Sequence, residues 1–268
     1  MSNLTKKISI SLIVLFVSSA FWLVVKPWIV NPLRLSLDLN IWFLPLALFV
    51  LLIATVGLAL TLLKEGEWRL IVVLSIAGPY LAVFGISSRF YLLAVLLMML
   101  TSWLAIHYFV AGSTQRLKIN IYHIMQHGLP WLVTGILVLI TFAYFLSPKI
   151  QATAETQTLS PGIQKIIEKT ITTISGEQIE GLSPQQKQNV ISQATVEVTK
   201  QFTTIAKPYL RYLPSLLALG LFLVLQGLSF IFVFLACWLS VLLFKILKAS
   251  GFVKVVEKEV KVETIELV

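Results

Sequence analysis

Six long apolar stretches, separated by charged or turn-forming residues, dominate the hydropathy pattern of this chain. A helix rises about 1.5 Å per residue, so about 20 apolar residues cross the roughly 30 Å of hydrocarbon in a bilayer. Five stretches fit a single crossing and the last one exceeds it. The pattern therefore predicts an all-α, polytopic membrane bundle of about six transmembrane helices. The predicted spans are Ile8–Val25, Ile41–Leu63, Leu70–Ile86, Phe90–Ala111, Leu129–Leu146 and Ser215–Phe244.

A long polar segment, residues 147–213, separates the fifth and sixth apolar stretches and contains two helix-start signals. Ser160-Pro161 and Ser183-Pro184 each supply an N-cap followed by a first-turn proline. Apolar residues then recur at helical spacing, which favours an extracytoplasmic hairpin of two amphipathic helices. We expect their apolar stripe to mediate contact, because two short helices bury little surface by themselves. The stripe comprises Ile163, Ile167, Ile171, Ile174, Ile191, Val198, Phe202 and Ile205.

These patterns divide the chain into four parts. They are spans one to five at 1–146, the hairpin at 147–213, a long sixth helix at 214–247 and a cytoplasmic tail at 248–268. The first span resembles a signal peptide, but its apolar run continues past Ser18-Ser19-Ala20, which favours an uncleaved anchor. Residues 115–128 are too polar to span, so we expect an interfacial segment leading into span five at Leu129.

The composition supports a membrane protein and argues against a nucleic-acid-binding one. Apolar residues make up 57% of the chain, above the roughly 45–50% of soluble domains, and the mean hydropathy is +0.90. The formal net charge is +9. Its lysines and arginines are scattered among loops and tails, without the dense basic patch that would grip phosphates.

The distribution of these cations predicts the orientation. Short cytoplasmic loops are enriched in Lys and Arg, whereas long loops cross regardless of charge. With six spans both termini share one side, and that side would hold most of the cations outside the long segment. They are Lys6, Lys7, Lys64, Arg69, Arg116, Lys118, Lys245, Lys248 and three further tail lysines, against Lys26, Arg34 and Arg89 opposite. We therefore predict a multi-pass protein of the cell membrane with both termini cytoplasmic.

Tryptophans near the predicted span ends agree with this reading, because indole rings favour the headgroup level. They are Trp22, Trp28, Trp42, Trp68, Trp103, Trp131 and Trp238.

Small and polar residues within the spans indicate either close helix packing or a permeation path. Proline removes a backbone hydrogen bond and kinks a helix, and an amide with small neighbours suits an interhelical hydrogen bond. We favour packing; the alternative is a path lined by span three at Pro79 and span six at Gln226. The residues concerned are Gly57, Gly78, Pro79, Gly220, Gln226 and Gly227.

Candidate chemistry is sparse. His123 and His127 lie four residues apart, a spacing that can hold zinc, and His107 could join them if span four runs inward. No glutamate follows His123, so we prefer to read all three as interfacial polar residues. Cys237 is the single cysteine and is expected to be a buried structural thiol. Nucleophile, P-loop and dinucleotide motifs are absent from the sequence, and we predict no cofactor.

Three short motifs give the chain a resemblance to multi-span bacterial inner-membrane proteins that have no established activity. They are Arg116-Leu117-Lys118-Ile119, Tyr144-Phe145-Leu146-Ser147-Pro148 and Lys245–Lys254. The resemblance implies an inner-membrane location, and it implies no particular activity. The sequence thus favours a non-enzymatic scaffold or interaction protein, bathed in the lipid bilayer, whose hairpin mediates self-association or binds another envelope protein. The alternative is a passive channel or transporter.

Overall fold

The computed structural model describes residues 2–30, 39–86, 88–114, 120–155, 197 and 212–253. Every regular element in these ranges is a helix. In chain order they are α1 Asn3–Val30, α2 Leu39–Leu62, α3 Gly66–Phe84, α4 Arg89–Thr114, α5 Ile121–Phe145, α6 Pro148–Glu155 and α7 Leu213–Ala249.

Six of these helices, all except α6, are long and apolar enough to cross a membrane. Each contains one of the six predicted apolar stretches or nearly all of it, so the prediction of an all-helical chain with six such helices is confirmed. The predicted hairpin stripe from Ile163 to Ile205 lies outside the described residues, as does the tail beyond Val253.

Span five differs from its predicted bounds. We expected it to begin at Leu129, but α5 begins eight residues earlier, at Ile121. The Asn120 side chain accepts a hydrogen bond from the backbone N–H of His123 at 3.4 Å, which is the geometry of an N-cap. Ile121, Met125 and Gly128 lie buried on the packed face of the added turns. These buried residues thus extend α5 into a segment whose overall composition is polar.

The helices group into two compact units. One comprises Met1–Ala143 with Leu221–Val268, and the other comprises Tyr144–Gly220. In the first unit α1 packs most extensively against α3 and then against α2. Its core is almost entirely apolar, and the largest fully buried side chains include Trp22, Tyr80 and Phe109.

Glycines in the left-handed region follow two of the helices. Gly85, with φ 94°, follows α3 and donates its N–H to the carbonyl of Leu81 at 2.8 Å. Gly251, with φ 71°, follows α7 and donates to Lys248 at 3.1 Å. Both bonds satisfy carbonyls that a helix end leaves open.

Candidate functional site

Three polar side chains, two on α1 and one on α3, are fully buried. Ser18 and Trp22 are one turn apart on α1, and Tyr80 lies on α3; each has 0% exposure. Within the described part of the chain, the Ser18 Oγ, Trp22 Nε1 and Tyr80 Oη atoms have no hydrogen-bond partner. An unsatisfied buried group costs about 1–3 kcal/mol. Among the described residues, no other fully buried side-chain nitrogen or oxygen lacks a hydrogen-bond partner.

Aromatic rings surround these groups. The Trp22 ring meets that of Tyr80 edge-on at a centroid distance of 5.0 Å, and that of Phe84 at 5.9 Å. Tyr80 also contacts Tyr91 of α4 at 5.9 Å. Such edge-to-face pairs stabilise by about 0.5–1.5 kcal/mol each. The rings thus hold α1, α3 and α4 together and fix where the polar atoms lie.

Burial makes the interfacial interpretation of the tryptophans wrong for Trp22. Its indole is enclosed by protein on all sides, with 0% exposure, and cannot lie among lipid headgroups. Trp103 and Trp238 are 64% and 61% exposed. Hydropathy does not separate Trp22 from these two, because all three lie within long apolar stretches.

Pro79 adds a further polar feature to the same region. It is buried inside α3, which runs from Gly66 to Phe84 through it. Proline has no N–H, so the carbonyl of Ser75 receives no main-chain bond from position 79. Gly78 lies on the outer face, and a Cβ there would meet nothing within 4 Å. Pro79 directly precedes Tyr80 and is buried with it, whereas Gly78 is exposed.

Gln226 pairs with another helix. Its side-chain amide lies 3.3 Å from the hydroxyl of Thr134 on α5, and that hydroxyl also donates to the carbonyl of Pro130 at 2.9 Å. Gln226 is half-buried. Its hydrogen-bond partner lies on α5, whereas Tyr80, next to Pro79, contacts rings of α1 and α4.

The remaining glycines that were predicted to serve helix packing or a path lie in two different environments. A Cβ on Gly57 would lie 2.7 Å from Leu129 Cδ2 and 3.0 Å from Met125 Sδ. Gly57 therefore sits in a close contact between α2 and α5. Gly220 and Gly227 of α7 lie on its exposed side, and a Cβ there would have no neighbour within 4 Å.

Two packing glycines were not singled out in the sequence. A Cβ on Gly128 would overlap the Phe109 ring, and one on Gly135 would overlap the Thr101 hydroxyl and lie 3.3 Å from Met98 Cγ. Both contacts join α5 to α4. The signal for them was available, because two glycines seven residues apart fall on one helical face.

The histidines lie on α4 and α5. The His123 and His127 rings are 4.4 Å apart, and His127 Nδ1 lies 2.9 Å from the carbonyl of His123. His107 is exposed on α4, where its ring contacts Tyr108 at 6.1 Å. Over the described ranges, no group of three His, Cys, Asp or Glu side chains could hold a metal ion. Among the described residues, His123 and His127 therefore lie together, and His107 does not join them as a third metal ligand.

Charged and aromatic side chains connect the start of α1 to two other segments. Lys6 Nζ donates to the carbonyl of Phe252 at 2.7 Å, so the beginning of α1 and the residues after α7 meet. Lys7 forms an ion pair with Glu65 in the α2–α3 connection. Arg69 Nε donates to the carbonyl of Leu60 at 3.2 Å, near the end of α2. Cations at helix carboxyl ends stabilise them.

Comparison with protein-family models, with curated proteins and with solved structures found no match to this chain. The six apolar helices are compatible with a multi-pass membrane protein.

Proposed function

We propose that this chain is a non-enzymatic membrane scaffold that binds another protein through α7 and the polar segment at 147–213 that precedes it. The observation that supports this proposal is the length of the exposed apolar surface on α7. Large apolar side chains are exposed from Leu216 to Ile246. Only 22% of the most apolar window of this helix is buried, the smallest share of the six.

The length of that surface exceeds what lipid alone can cover. Thirty residues separate Leu216 from Ile246, which corresponds to about 45 Å of helix. Hydrocarbon is about 30 Å thick, so a tilt of about 48° would be needed to immerse the whole surface. Transmembrane helices tilt by about 0–40°. A protein surface covering one end of α7 removes the mismatch.

We place the protein in a cell membrane, with both termini cytoplasmic and residues 147–213 on the other side. The excess of lysine and arginine in the short connections of the terminal side supports this orientation. The contact between Lys6 and the carbonyl of Phe252 is consistent with it, since both segments then share one side.

Photo-crosslinking tests the scaffold function. A benzophenone side chain replaces Leu223, which is 61% exposed on α7, or Leu219, which is 54% exposed nearer its start. The matched control replaces Leu96 of α4, also 61% exposed, on a helix short enough for lipid to cover. We expect a crosslinked protein, a second copy or a different chain, at one or both α7 positions and none at Leu96. Crosslinks to lipid alone at all three positions would contradict the proposal.

A deletion separates the segment at 147–213 from α7. Removing residues 161–207 should leave membrane insertion intact, because the six apolar stretches are untouched. The crosslink from Leu219 should then disappear if this segment recruits the partner. An unchanged crosslink would restrict the binding surface to α7.

A passive channel or carrier is the second candidate function. The unpaired polar atoms of Ser18, Trp22 and Tyr80 beside Pro79 favour it, because polar groups inside an apolar bundle can line a path. Purified protein in vesicles should then pass a small neutral solute. The path predicted from the sequence is lined by Pro79 of span three and Gln226 of span six, so Gln226→Leu tests its span-six side and Tyr80→Phe the side beside Pro79. Flux equal to that of empty vesicles would remove this candidate.

A further inference from the structure

The hydroxyl of Ser18 departs from the behaviour of its neighbours on α1. Ser11 Oγ donates to the carbonyl of Lys7 at 3.1 Å, and Ser19 Oγ donates to that of Leu15 at 2.7 Å. Each serine bonds the carbonyl four residues earlier, as helical serines commonly do. Ser18 Oγ makes no such bond to Val14, although it is fully buried. The Ser18 hydroxyl can therefore form a hydrogen bond with a small molecule that is not part of this chain.

The other open groups complement that hydroxyl. Trp22 Nε1 can only donate, whereas the hydroxyls of Ser18 and Tyr80 both donate and accept. The carbonyl of Ser75, which receives no main-chain hydrogen bond from Pro79, adds an acceptor to α3 five residues before Tyr80. Donors and acceptors are therefore both present, and a molecule that offers both can pair with them.

The surroundings restrict the chemistry of such a molecule. Neither Ile8–Val25 nor Leu70–Ile86 contains a charged residue. An ion would therefore lose its hydration without gaining a counter-charge. The rings of Trp22, Tyr80 and Phe84 are in mutual contact at 5.0 to 5.9 Å. A guest between them must be small and neutral.

We propose that the α1–α3 interface is a binding site for water, held by Ser18 Oγ, Trp22 Nε1 and Tyr80 Oη at the proline break of α3. Buried water typically makes about three hydrogen bonds to polar groups that would otherwise be unsatisfied. Ser18 Oγ, Trp22 Nε1 and Tyr80 Oη are three buried groups of this kind. The inference is independent of whether the chain acts as a scaffold or as a channel.

The sign of a stability change tests the proposal. Tyr80→Phe and Ser18→Ala each remove one polar atom with little change of shape. If water pairs with that atom, the variant loses a hydrogen bond and leaves the water undersatisfied, so the melting temperature in detergent should fall by about 2–4 °C. If the atom is unpaired, its removal leaves the melting temperature unchanged or raises it, and that result would overturn the proposal.

Two controls isolate the site. Ser19→Ala removes a hydroxyl from the adjacent position, where it bonds within its own helix, and Tyr91→Phe removes one from a partly buried ring that contacts Tyr80. Both should change the melting temperature less than the variants at the site. Equal losses in the controls would show a general effect of removing hydroxyls and would also overturn the proposal.

Nuclear magnetic resonance gives a readout that stability does not affect. The indole proton of Trp22, assigned by its disappearance in Trp22→Phe or by selective labelling, should show a through-space cross-peak to water in wild-type protein. We expect that cross-peak to weaken in Tyr80→Phe. A Trp22 indole proton without any contact to water would refute the bound water directly.

Discussion

Gly135 allows α5 to approach α4 at a distance that no other residue permits. A Cβ at this position would overlap the Thr101 hydroxyl and lie 3.5 Å from the backbone oxygen of Met98. The Thr101 hydroxyl donates to the carbonyl of Met98 at 2.9 Å, so moving it away from a Cβ would disturb that hydrogen bond. The close approach of these two helices therefore depends on the absence of a side chain at Gly135.

Gly135→Ala should accordingly destabilise the bundle by about 1–3 kcal/mol, the usual cost of overpacking. The matched control is Gly227→Ala on α7, where a Cβ meets nothing within 4 Å. There alanine should be neutral or slightly stabilising, because it favours helix more than glycine does. Thermal unfolding in detergent measures both variants. Equal effects would contradict the close approach of α4 and α5.

Cys237 is a second residue whose environment makes a measurable prediction. It is 1% exposed, packed among the apolar core of the first unit. A maleimide should therefore label it slowly in the native protein and fully after denaturation, as expected for a structural thiol. The exposed control is Trp238→Cys, made together with Cys237→Ala. Rapid labelling of native Cys237 would show that α7 does not pack at this point as described.

At the scale of elements, α5 and α7 are joined by the hydrogen bond between Thr134 and Gln226, 3.3 Å long. We expect Thr134→Val and Gln226→Leu to be coupled by about 0.5–1.5 kcal/mol in a double-mutant cycle, the range measured for hydrogen bonds between membrane helices. Unfolding of the four proteins in detergent supplies the values.

Thr141 offers the control for that cycle. Its hydroxyl donates to Leu137 of its own helix at 2.8 Å, and no bond to another helix is described for it. Thr141→Val should show no coupling to Gln226→Leu. A coupling at Thr141 as large as that at Thr134 would mean that the two helices interact through packing and not through this bond.

The helices themselves could be predicted from the sequence, but their packed faces could not. Hydrocarbon thickness requires long apolar runs, and these runs identified six helices to within a few residues at most ends. In a membrane, however, residues facing lipid are as apolar as residues facing the core. Phe16 is 75% exposed and Phe21 is 2% exposed on the same helix. Hydropathy alone does not distinguish them.

The candidate site likewise has one feature that the sequence predicts and others that depend on how the helices pack. Pro79 was identified because proline within a helix breaks a definite hydrogen bond. Ser18, Trp22 and Tyr80 were not grouped with it, because their meeting depends on how α1 rotates against α3. Gln226 was identified in the sequence as an amide suited to an interhelical hydrogen bond, but its partner Thr134 could be found only from the packing of α5 against α7.

At the scale of the whole molecule, the start of α1 meets the residues that follow α7. Lys6 Nζ bonds the carbonyl of Phe252 and lies 5.2 Å from the centre of its ring. Lys7 pairs with Glu65 and lies 5.9 Å from the centre of the Trp68 ring. The start of α1, the residues that directly follow α7 and the α2–α3 connection therefore lie together at one end of the bundle.

This arrangement predicts that reporters fused to the two termini give the same result, whatever the orientation of the bundle. The excess of cations in the terminal-side connections further predicts that this result is cytoplasmic. A reporter inserted at Gln178, within the polar segment, should give the opposite one. Paired fusions of alkaline phosphatase, active only outside, and green fluorescent protein, fluorescent only inside, measure all three positions. Termini on opposite sides would contradict the Lys6–Phe252 contact itself, whereas two external termini would preserve the fold and invert only the orientation inferred from charge.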